Sequence, residues 1–181
     1  AKLQAFLCLG WIGNNAVVGT ADGNLYRFIG RQLDGVVQAH SGNVNTICSS
    51  NDGVCTGGSD GYVKIWNRTL DCRMVIDSKN LNATVPNIRC VDWDVENGHI
   101  VIGTMSAEVY EVGAADGESI HKGPLLEGHS GEELWGLAIH PIKEVYCTVG
   151  DDCLLKVWDI SDRRVIQQLS LEMPARCCCY S

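Results

Sequence analysis

Four segments of the sequence align with one another without gaps, and this repetition restricts the fold more than any other feature. The segments are 19–28, 57–66, 103–112 and 149–158. Their last residues, Phe28, Trp66, Val112 and Trp158, are 38, 46 and 46 positions apart. Each segment joins a turn sequence to a strand sequence, and repeats of about 40–45 residues with this pattern are typical of β-propeller blades. Such a propeller is usually a binding surface.

The sequence between these segments divides into strands and tight turns. Asp22-Gly23 and Asp60-Gly61 predict hairpin turns, because glycine readily adopts the positive φ that tight hairpins require. No helical period lasts long enough to compete with the strands. We therefore predict an all-β protein of four four-stranded antiparallel blades, followed by a candidate first strand of a fifth. The predicted ranges are 1–38, 39–78, 79–127, 128–171 and 172–181.

Propeller closure adds a second expectation. Propellers have about 4–8 blades that close a ring. We expect this segment to be part of a larger propeller in a longer polypeptide. The alternative is a compact four-blade ring, in which residues 175–181 pair with blade one to seal it.

The charge of the chain disfavours two classes of partner. The sequence has 14 basic and 22 acidic residues, for a net charge of −8. Phosphate backbones and anionic lipids attract clustered Lys and Arg, and no basic cluster here is longer than Arg163-Arg164. No apolar stretch approaches the ~18 residues of a membrane helix. We expect neither nucleic acid nor a membrane as partner.

The ten cysteines do not form a metal pattern. No CxxC pair occurs, so the usual zinc spacing is absent. Several cysteines fall within strand patterns, where a free thiol acts as a small apolar residue. This composition indicates reduced thiols in a cytosolic protein, with no metal and no cofactor.

Blades two and four share a set of four polar and aromatic residues, with four positions from Thr to Asp and six from Asp to Trp in both blades. The two sets are His40, Thr56, Asp60 and Trp66, and His129, Thr148, Asp152 and Trp158. They resemble the structural tetrad of WD40 repeats, in which His, Ser/Thr, Asp and Trp are linked by hydrogen bonds. A hydrolytic triad is the alternative interpretation, but catalytic sites do not normally recur in each structural repeat. We predict structural tetrads and no enzymatic activity.

The other two blades depart from this pattern. The Thr position is Val18 in blade one, and the Asp position is Ser106 in blade three. We expect both blades to depend on apolar packing instead. Three further tryptophans, Trp11, Trp93 and Trp135, are expected in the core or between blades. His99 and His121 are expected to be solvated, without a carboxylate partner at metal spacing.

The sequence of blade four is similar to a recurrent segment of the echinoderm microtubule-associated protein-like family. The family pattern Gly-His-x-Gly-Glu-x-Trp-Gly-Leu-Ala-x-His-Pro maps onto Gly128, His129, Gly131, Glu132, Trp135, Gly136, Leu137, Ala138, His140 and Pro141. One residue is inserted, since Glu132-Glu133-Leu134 replaces a two-residue Glu-x. The resemblance implies a cytoplasmic protein of the microtubule cytoskeleton, whose propeller binds tubulin or microtubule regulators.

Three functions remain open on the sequence. The first is a microtubule-associated scaffold, in which the acidic rim Glu132, Glu133 and Asp151 is a candidate interaction surface. The second is a WD40 adaptor of another pathway, such as a ubiquitin-ligase receptor or a signalling scaffold. The third is a propeller enzyme, which would need a catalytic pair or metal set outside the repeated positions, and none is visible.

Overall fold

The computed structural model describes residues 4–180. Residues 1–3 of the first predicted blade and residue 181 of the predicted fifth blade lie outside the described residues. The described chain is all-β, and its helical structure is limited to one short 3₁₀ helix, Ser78–Leu81. No helix in this part of the chain is long and apolar enough to cross a membrane.

Within residues 4–180, fifteen strands form four antiparallel sheets, each built from strands that are consecutive in the sequence. Blade one contains β1 (Phe6–Ile12), β2 (Asn15–Thr20), β3 (Asn24–Ile29) and β4 (Gln32–Gln38). Blade two contains β5 (Val44–Ser49), β6 (Gly53–Gly58), β7 (Tyr62–Asn67) and β8 (Cys72–Asp77). Blade three contains β9 (Ile88–Asp94), β10 (His99–Thr104) and β11 (Val109–Gly113). Blade four contains β12 (Leu134–Ile139), β13 (Val145–Gly150), β14 (Leu154–Asp159) and β15 (Val165–Ser170).

The prediction of an all-β protein built from four WD40-type blades is confirmed, with one irregularity in blade three. Its fourth strand position is occupied by residues 118–125, which form only an isolated bridge between Ser119 and Val112. Three backbone bonds hold this segment beside β11, from Gly113 N to Glu118 O at 2.9 Å, from Ile120 N to Glu111 O at 3.0 Å and from Leu125 N to Val109 O at 2.7 Å. The sheets lie within the four predicted blade ranges, and the domain boundaries themselves stay a prediction.

The turn between the second and third strands keeps one conformation in all four blades. Gly23 and Gly61 adopt positive φ angles of 86° and 87°, as the Asp-Gly pairs predicted. The equivalent residues Ala107 and Cys153 adopt φ angles of 57° and 59°, although they carry a Cβ. A left-handed residue other than glycine costs about 1–2 kcal/mol. The blade geometry therefore imposes the turn even where the local sequence does not favour it.

The chain divides into two compact units, Ala1–Leu125 and Leu126–Ser181. In the first unit, successive blades pack face to face. One buried cluster joins blades one and two and includes Val17, Leu25, Val44 and Trp66, and a second joins blades two and three. In the second unit, Cys147, Val149 and Leu154 of blade four are buried.

The candidate first strand of a fifth blade does not form in the described residues. Residues 171–180 have no strand assignment after β15 ends at Ser170. This segment nevertheless lies against blade four, since a Cβ added to Gly136 would meet Cα of Cys177 at 2.9 Å. A strand requires a neighbouring strand to satisfy its backbone groups, and no described strand pairs with these residues.

Candidate functional site

The tetrad residues of blade two come together in one hydrogen-bonded line. His40 precedes β5, Thr56 lies on β6, Asp60 occupies the β6–β7 turn and Trp66 lies on β7. The Trp66 indole donates to Thr56 Oγ1 at 2.9 Å, and His40 Nε2 lies 2.9 Å from the same oxygen. His40 Nδ1 lies 2.9 Å from Asp60 Oδ1, and the Ser41 amide donates to Asp60 Oδ2 at 2.9 Å.

These distances define one consistent direction of donation. The indole N–H of Trp66 can only donate, so the Thr56 oxygen accepts and its hydroxyl proton points to His40 Nε2. We assign the histidine proton to Nδ1, from which it donates to the Asp60 carboxylate. Thr56 is 0% exposed, so its hydroxyl is not accessible to a substrate from solvent.

The protonation states agree with this assignment. Burial lowers the pKa of His40 below its ordinary value, and the opposing charge of Asp60 only partly compensates. Burial alone would raise the pKa of Asp60, but the Ser41 amide and His40 together hold it below the ordinary carboxyl value. The favoured pair is therefore a neutral imidazole and an ionised carboxylate.

Blade four repeats the arrangement. The Trp158 indole donates to Thr148 Oγ1 at 2.7 Å, and His129 Nε2 lies 2.7 Å from that oxygen. His129 Nδ1 lies 2.9 Å from both oxygens of Asp152. Burial works to raise the pKa of Asp152, but the bond from His129 and neighbouring amides lower it overall. The structure thus brings all eight predicted tetrad residues into two separate sets of four.

A lysine extends each tetrad, at a position that was not predicted from the sequence. Lys64 on β7 donates to the carbonyl oxygen of Ala39, the residue before His40. Lys156 on β14 donates to the carbonyl oxygen of Gly128, the residue before His129, at 2.7 Å. Each lysine holds the loop that carries the tetrad histidine. The repeated Lys-x-Trp of β7 and β14 was the available signal.

The expectation that blade three depends on apolar packing alone is wrong. Its equivalent place holds a different polar network around Glu108, which is only 4% exposed. The carboxylate accepts from Thr84 Oγ1 at 2.7 Å, Ser106 Oγ at 2.6 Å and Thr104 Oγ1 at 3.0 Å. Thr84 lies four residues before β9, as His40 lies four residues before β5. Hydroxyl and carboxylate groups here fill the place of the tetrad.

Blade one also has a polar turn where apolar packing was expected. Thr20 is 0% exposed, and its hydroxyl contacts the Asp22 carboxylate. The Asn24 amide donates to Thr20 Oγ1 at 3.1 Å. Asp22 stands in the aligned position of Asp60. The carboxylate of the repeat is therefore retained in blade one without the tetrad threonine or tryptophan.

Comparison with known proteins agrees with this geometry. The family described as "WD domain, G-beta repeat" matches residues 31–67 and 117–159, which contain both tetrads. Human echinoderm microtubule-associated protein-like 2 is 31% identical over 184 residues, covering 97% of this chain and 26% of that protein. The 77 kDa echinoderm microtubule-associated protein of Lytechinus variegatus is 31% identical, covering 87% of this chain and 23% of that protein.

The chain belongs to the echinoderm microtubule-associated protein-like family of WD40-repeat proteins. A ciliary WD repeat-containing protein of Euplotoides octocarinatus, ctxp80, is also similar, with 29% identity over 90% of this chain and 21% of that protein. The chain spans about a quarter of the length of the curated relatives it matches, at 26% of the human protein. The family assignment made from blade four is therefore confirmed.

The acidic rim of this family member comes from the residues just before β12 and just after β13 of blade four. Glu132 and Glu133 are exposed and Asp151 is partly buried. The Asp151 amide donates to Glu133 O at 3.0 Å, which brings the two segments of the rim together. Arg176 Nη2 lies 3.8 Å from Asp151 Oδ1, so the rim has a basic side chain beside it.

Two of the three additional tryptophans are more exposed than expected. Trp11 is 52% exposed and Trp135 is 45% exposed. The Arg176 guanidinium lies 3.9 Å above the Trp135 ring, within the range of a cation–π contact. Trp93 packs against the cluster between blades two and three, as expected. Trp11 and Trp135 lie on the first strands of their blades, where successive side chains point to opposite faces. This alternation does not show which of the two faces a neighbouring blade covers.

His99 and His121 share a carboxylate partner that their spacing in the sequence did not predict, and their side chains are 41% and 42% exposed. His99 Nδ1 lies 2.7 Å from Glu111 Oε1, and His121 Nε2 lies 2.7 Å from Glu111 Oε2. The bond from His121 is the main reason that the pKa of Glu111 is lowered. Because residues 118–125 run beside β11, His121 reaches a carboxylate ten positions earlier.

The described residues contain no group of three His, Cys, Asp or Glu side chains arranged to hold a metal ion. All ten cysteines are free thiols. Cys55 is fully buried, and burial raises its pKa. Cys48 donates to Asp92 Oδ1 at 3.1 Å, so a thiol of blade two contacts blade three.

Proposed function

We propose that this chain is a propeller segment of a non-enzymatic scaffold that binds protein partners at microtubules. The observation that carries the proposal is the similarity, over nearly the whole chain, to proteins named as microtubule-associated. The repeat architecture supports it, since propellers offer rigid surfaces from which loops contact partners. The cytoplasm and its microtubule cytoskeleton are the proposed location.

The polar sets of the blades support a structural role over a catalytic one. In blade two, every tetrad side chain bonds to another member, and the threonine is buried. The same arrangement recurs in blade four. A buried network is stable only when its members satisfy one another, and a nucleophile must be reachable by its substrate. We therefore propose that these residues brace the blades.

Tubulin is the proposed partner, and the charge of the chain favours the dimer over the lattice. The chain carries a net charge of −8, and the microtubule surface is also acidic. Like charges give no steering at long range, so binding depends on short-range contacts. The proposal predicts weak binding to tubulin dimers that changes little with salt, because salt screens only the few exposed carboxylates of one local contact. The acidic rim of Glu132, Glu133 and Asp151 is a candidate contact for a basic patch on the partner.

The test compares two forms of tubulin at two salt concentrations. The purified chain is mixed with immobilised tubulin dimers, and separately sedimented with microtubules, at low salt and at about 0.15 M. We expect retention by the dimers that is similar in both buffers. Tight microtubule binding that disappears with salt would contradict the proposed dimer contact. An unrelated acidic protein of similar net charge serves as the control.

The rim is tested in the same assay by neutralising charge. The double variant Glu132→Gln, Glu133→Gln should weaken retention, while Glu172→Gln, an exposed carboxylate outside the rim, should not. Equal retention of both variants would remove the rim from the proposed contact. If tubulin is not retained and another cytosolic protein copurifies, the adaptor function replaces the microtubule scaffold.

A further inference from the structure

The first unit has a groove at the turns of the first hairpins of its three consecutive blades. Its lining comes from the β1–β2 turn, the β5–β6 turn and the β9–β10 turn, and its volume is about 490 Å³. These three turns lie at the same end of their sheets, because each joins the first strand of a blade to the second. The groove is therefore an open surface feature that only adjacent blades can build.

Two tryptophans from different blades line this groove. Trp11 of blade one is 52% exposed, and its amide donates to Ser49 Oγ of blade two at 2.7 Å. Trp93 of blade three packs on the core, and its indole Nε1 is buried without a hydrogen-bond partner among the described residues.

The charge in the groove is negative. Asp94 and Glu96 line it and both are exposed. Asp94 accepts from Asn97 Nδ2 at 2.7 Å, and this bond is the main reason that its pKa is lowered, so the carboxylate is ionised. Arg68 binds the carbonyl oxygen of Asn51 at 2.6 Å, but its guanidinium is not part of the groove lining.

We propose that this groove binds an extended peptide with a basic side chain, placed against the Trp11 ring and facing Asp94 and Glu96. The indole face is the best aromatic surface for a Lys or Arg cation, and the carboxylates select that charge. This inference rests on the proposed scaffold function and names the chemistry of one partner. The net charge of −8 adds long-range attraction for such a peptide and opposes an acidic one.

The test uses labelled peptides in place of an unidentified partner. A short fluorescein-labelled peptide of alternating Lys and Ser is titrated with the purified chain, and fluorescence anisotropy is recorded. A matched peptide with Glu in place of Lys is the charge control. We expect the Lys peptide to bind and the Glu peptide not to bind. The Kd of the Lys peptide should rise with salt, because exposed charges are screened.

Two variants locate the peptide in the groove. Trp11→Ala should raise the Kd at least about tenfold, as truncation of a tryptophan at the centre of an interface commonly does. Glu96→Lys should also raise it by reversing one groove charge. Trp135→Ala removes another exposed tryptophan, on blade four, and should leave the Kd unchanged. Because Trp11 and Glu96 are both exposed, neither substitution should prevent folding, and unchanged urea midpoints would verify this.

Three results would overturn the groove assignment. They are equal binding of the two peptides, an unchanged Kd in Trp11→Ala and Glu96→Lys, or an equal loss in Trp135→Ala. Failure to retain tubulin would contradict the proposed microtubule function and leave the peptide result intact. The two proposals can therefore fail separately.

Discussion

Thr56→Val is the substitution that most directly tests the polar network of blade two. Valine keeps the branched shape of threonine and has a methyl group in place of the hydroxyl. That hydroxyl accepts from Trp66 Nε1 at 2.9 Å and lies 2.9 Å from His40 Nε2. Thr56 is 0% exposed, so water cannot easily replace the lost partner. Two buried polar groups would therefore lose their hydrogen bonds at once.

The expected loss follows from these two groups. Each buried group left without a partner costs about 1–3 kcal/mol. The added methyl group returns about 1 kcal/mol of apolar burial. We expect Thr56→Val to lower the free energy of unfolding by about 1–5 kcal/mol. With a urea slope of about 2 kcal/mol/M, the midpoint should fall by about 0.5–2.5 M.

Thr56→Ser is the matched control, because serine keeps the hydroxyl and loses only the methyl group. It should cost about 1 kcal/mol, from lost burial alone. Urea unfolding gives the total effect, and hydrogen exchange of the β6 and β7 amides separates it from unfolding of the second unit. If Thr56→Val is no less stable than Thr56→Ser, the hydroxyl does not hold the network together.

Three other predictions concern the remaining polar sets. In the folded chain the pKa values of His40 and Asp60 both lie below the ordinary values of 6.5 and 3.8. As the pH falls, the unfolded chain therefore takes up a proton at each residue before the folded chain does. Stability should therefore be highest above these values and fall in two stages in acid, measured by urea midpoints at each pH. Glu108→Gln places an amide N–H₂ among four donors, so the free energy of unfolding should fall by about 1–3 kcal/mol in urea titrations. His121→Ala breaks an exposed pair with Glu111, so exchange of the Ile120 amide should accelerate while the global midpoint changes little.

Each of these three predictions has its own refuting result or control variant. A urea midpoint that stays constant from neutral pH to pH 4 would refute the assigned protonation states of the blade-two pair. Glu118→Gln, on an exposed carboxylate of blade three, is the control for Glu108→Gln and should cost little; equal costs would argue against the Glu108 network. His99→Ala is the control for His121→Ala, since His99 lies on the regular strand β10 and does not hold residues 118–125.

Repetition made the tetrads predictable. His40 and Thr56 are 16 positions apart, and no local rule joins them. Their equivalents recur in blade four with the same residue types, and this recurrence indicates that the four residues act together. The network around Glu108 occurs once, and Thr84 lies 24 positions before it. A single set of common polar residues gives no such signal, and blade three was expected to be apolar for that reason.

The charge and position of the blade-four rim were visible in the sequence, and its surroundings were not. Glu132 and Glu133 fall in a loop that the repeat alignment locates. The contact of Arg176 with Trp135 and Asp151 depends on where residues 171–180 lie after the last strand. Those residues were expected to form a strand, but backbone pairing needs a neighbour that the local sequence does not supply.

The sequence by itself determined the repeated hairpins and the all-β class, because turn chemistry and strand alternation act between residues close in the chain. It also indicated the two tetrads, because the same four residue types recur in blade four. Tertiary structure alone decided which loops meet around Glu108, which histidines reach Glu111, and that Trp11 and Trp93 line one groove. Those contacts depend on how blades stack and where connections return. Stacking is directed by apolar burial, which is not directional and does not specify which polar side chains come together.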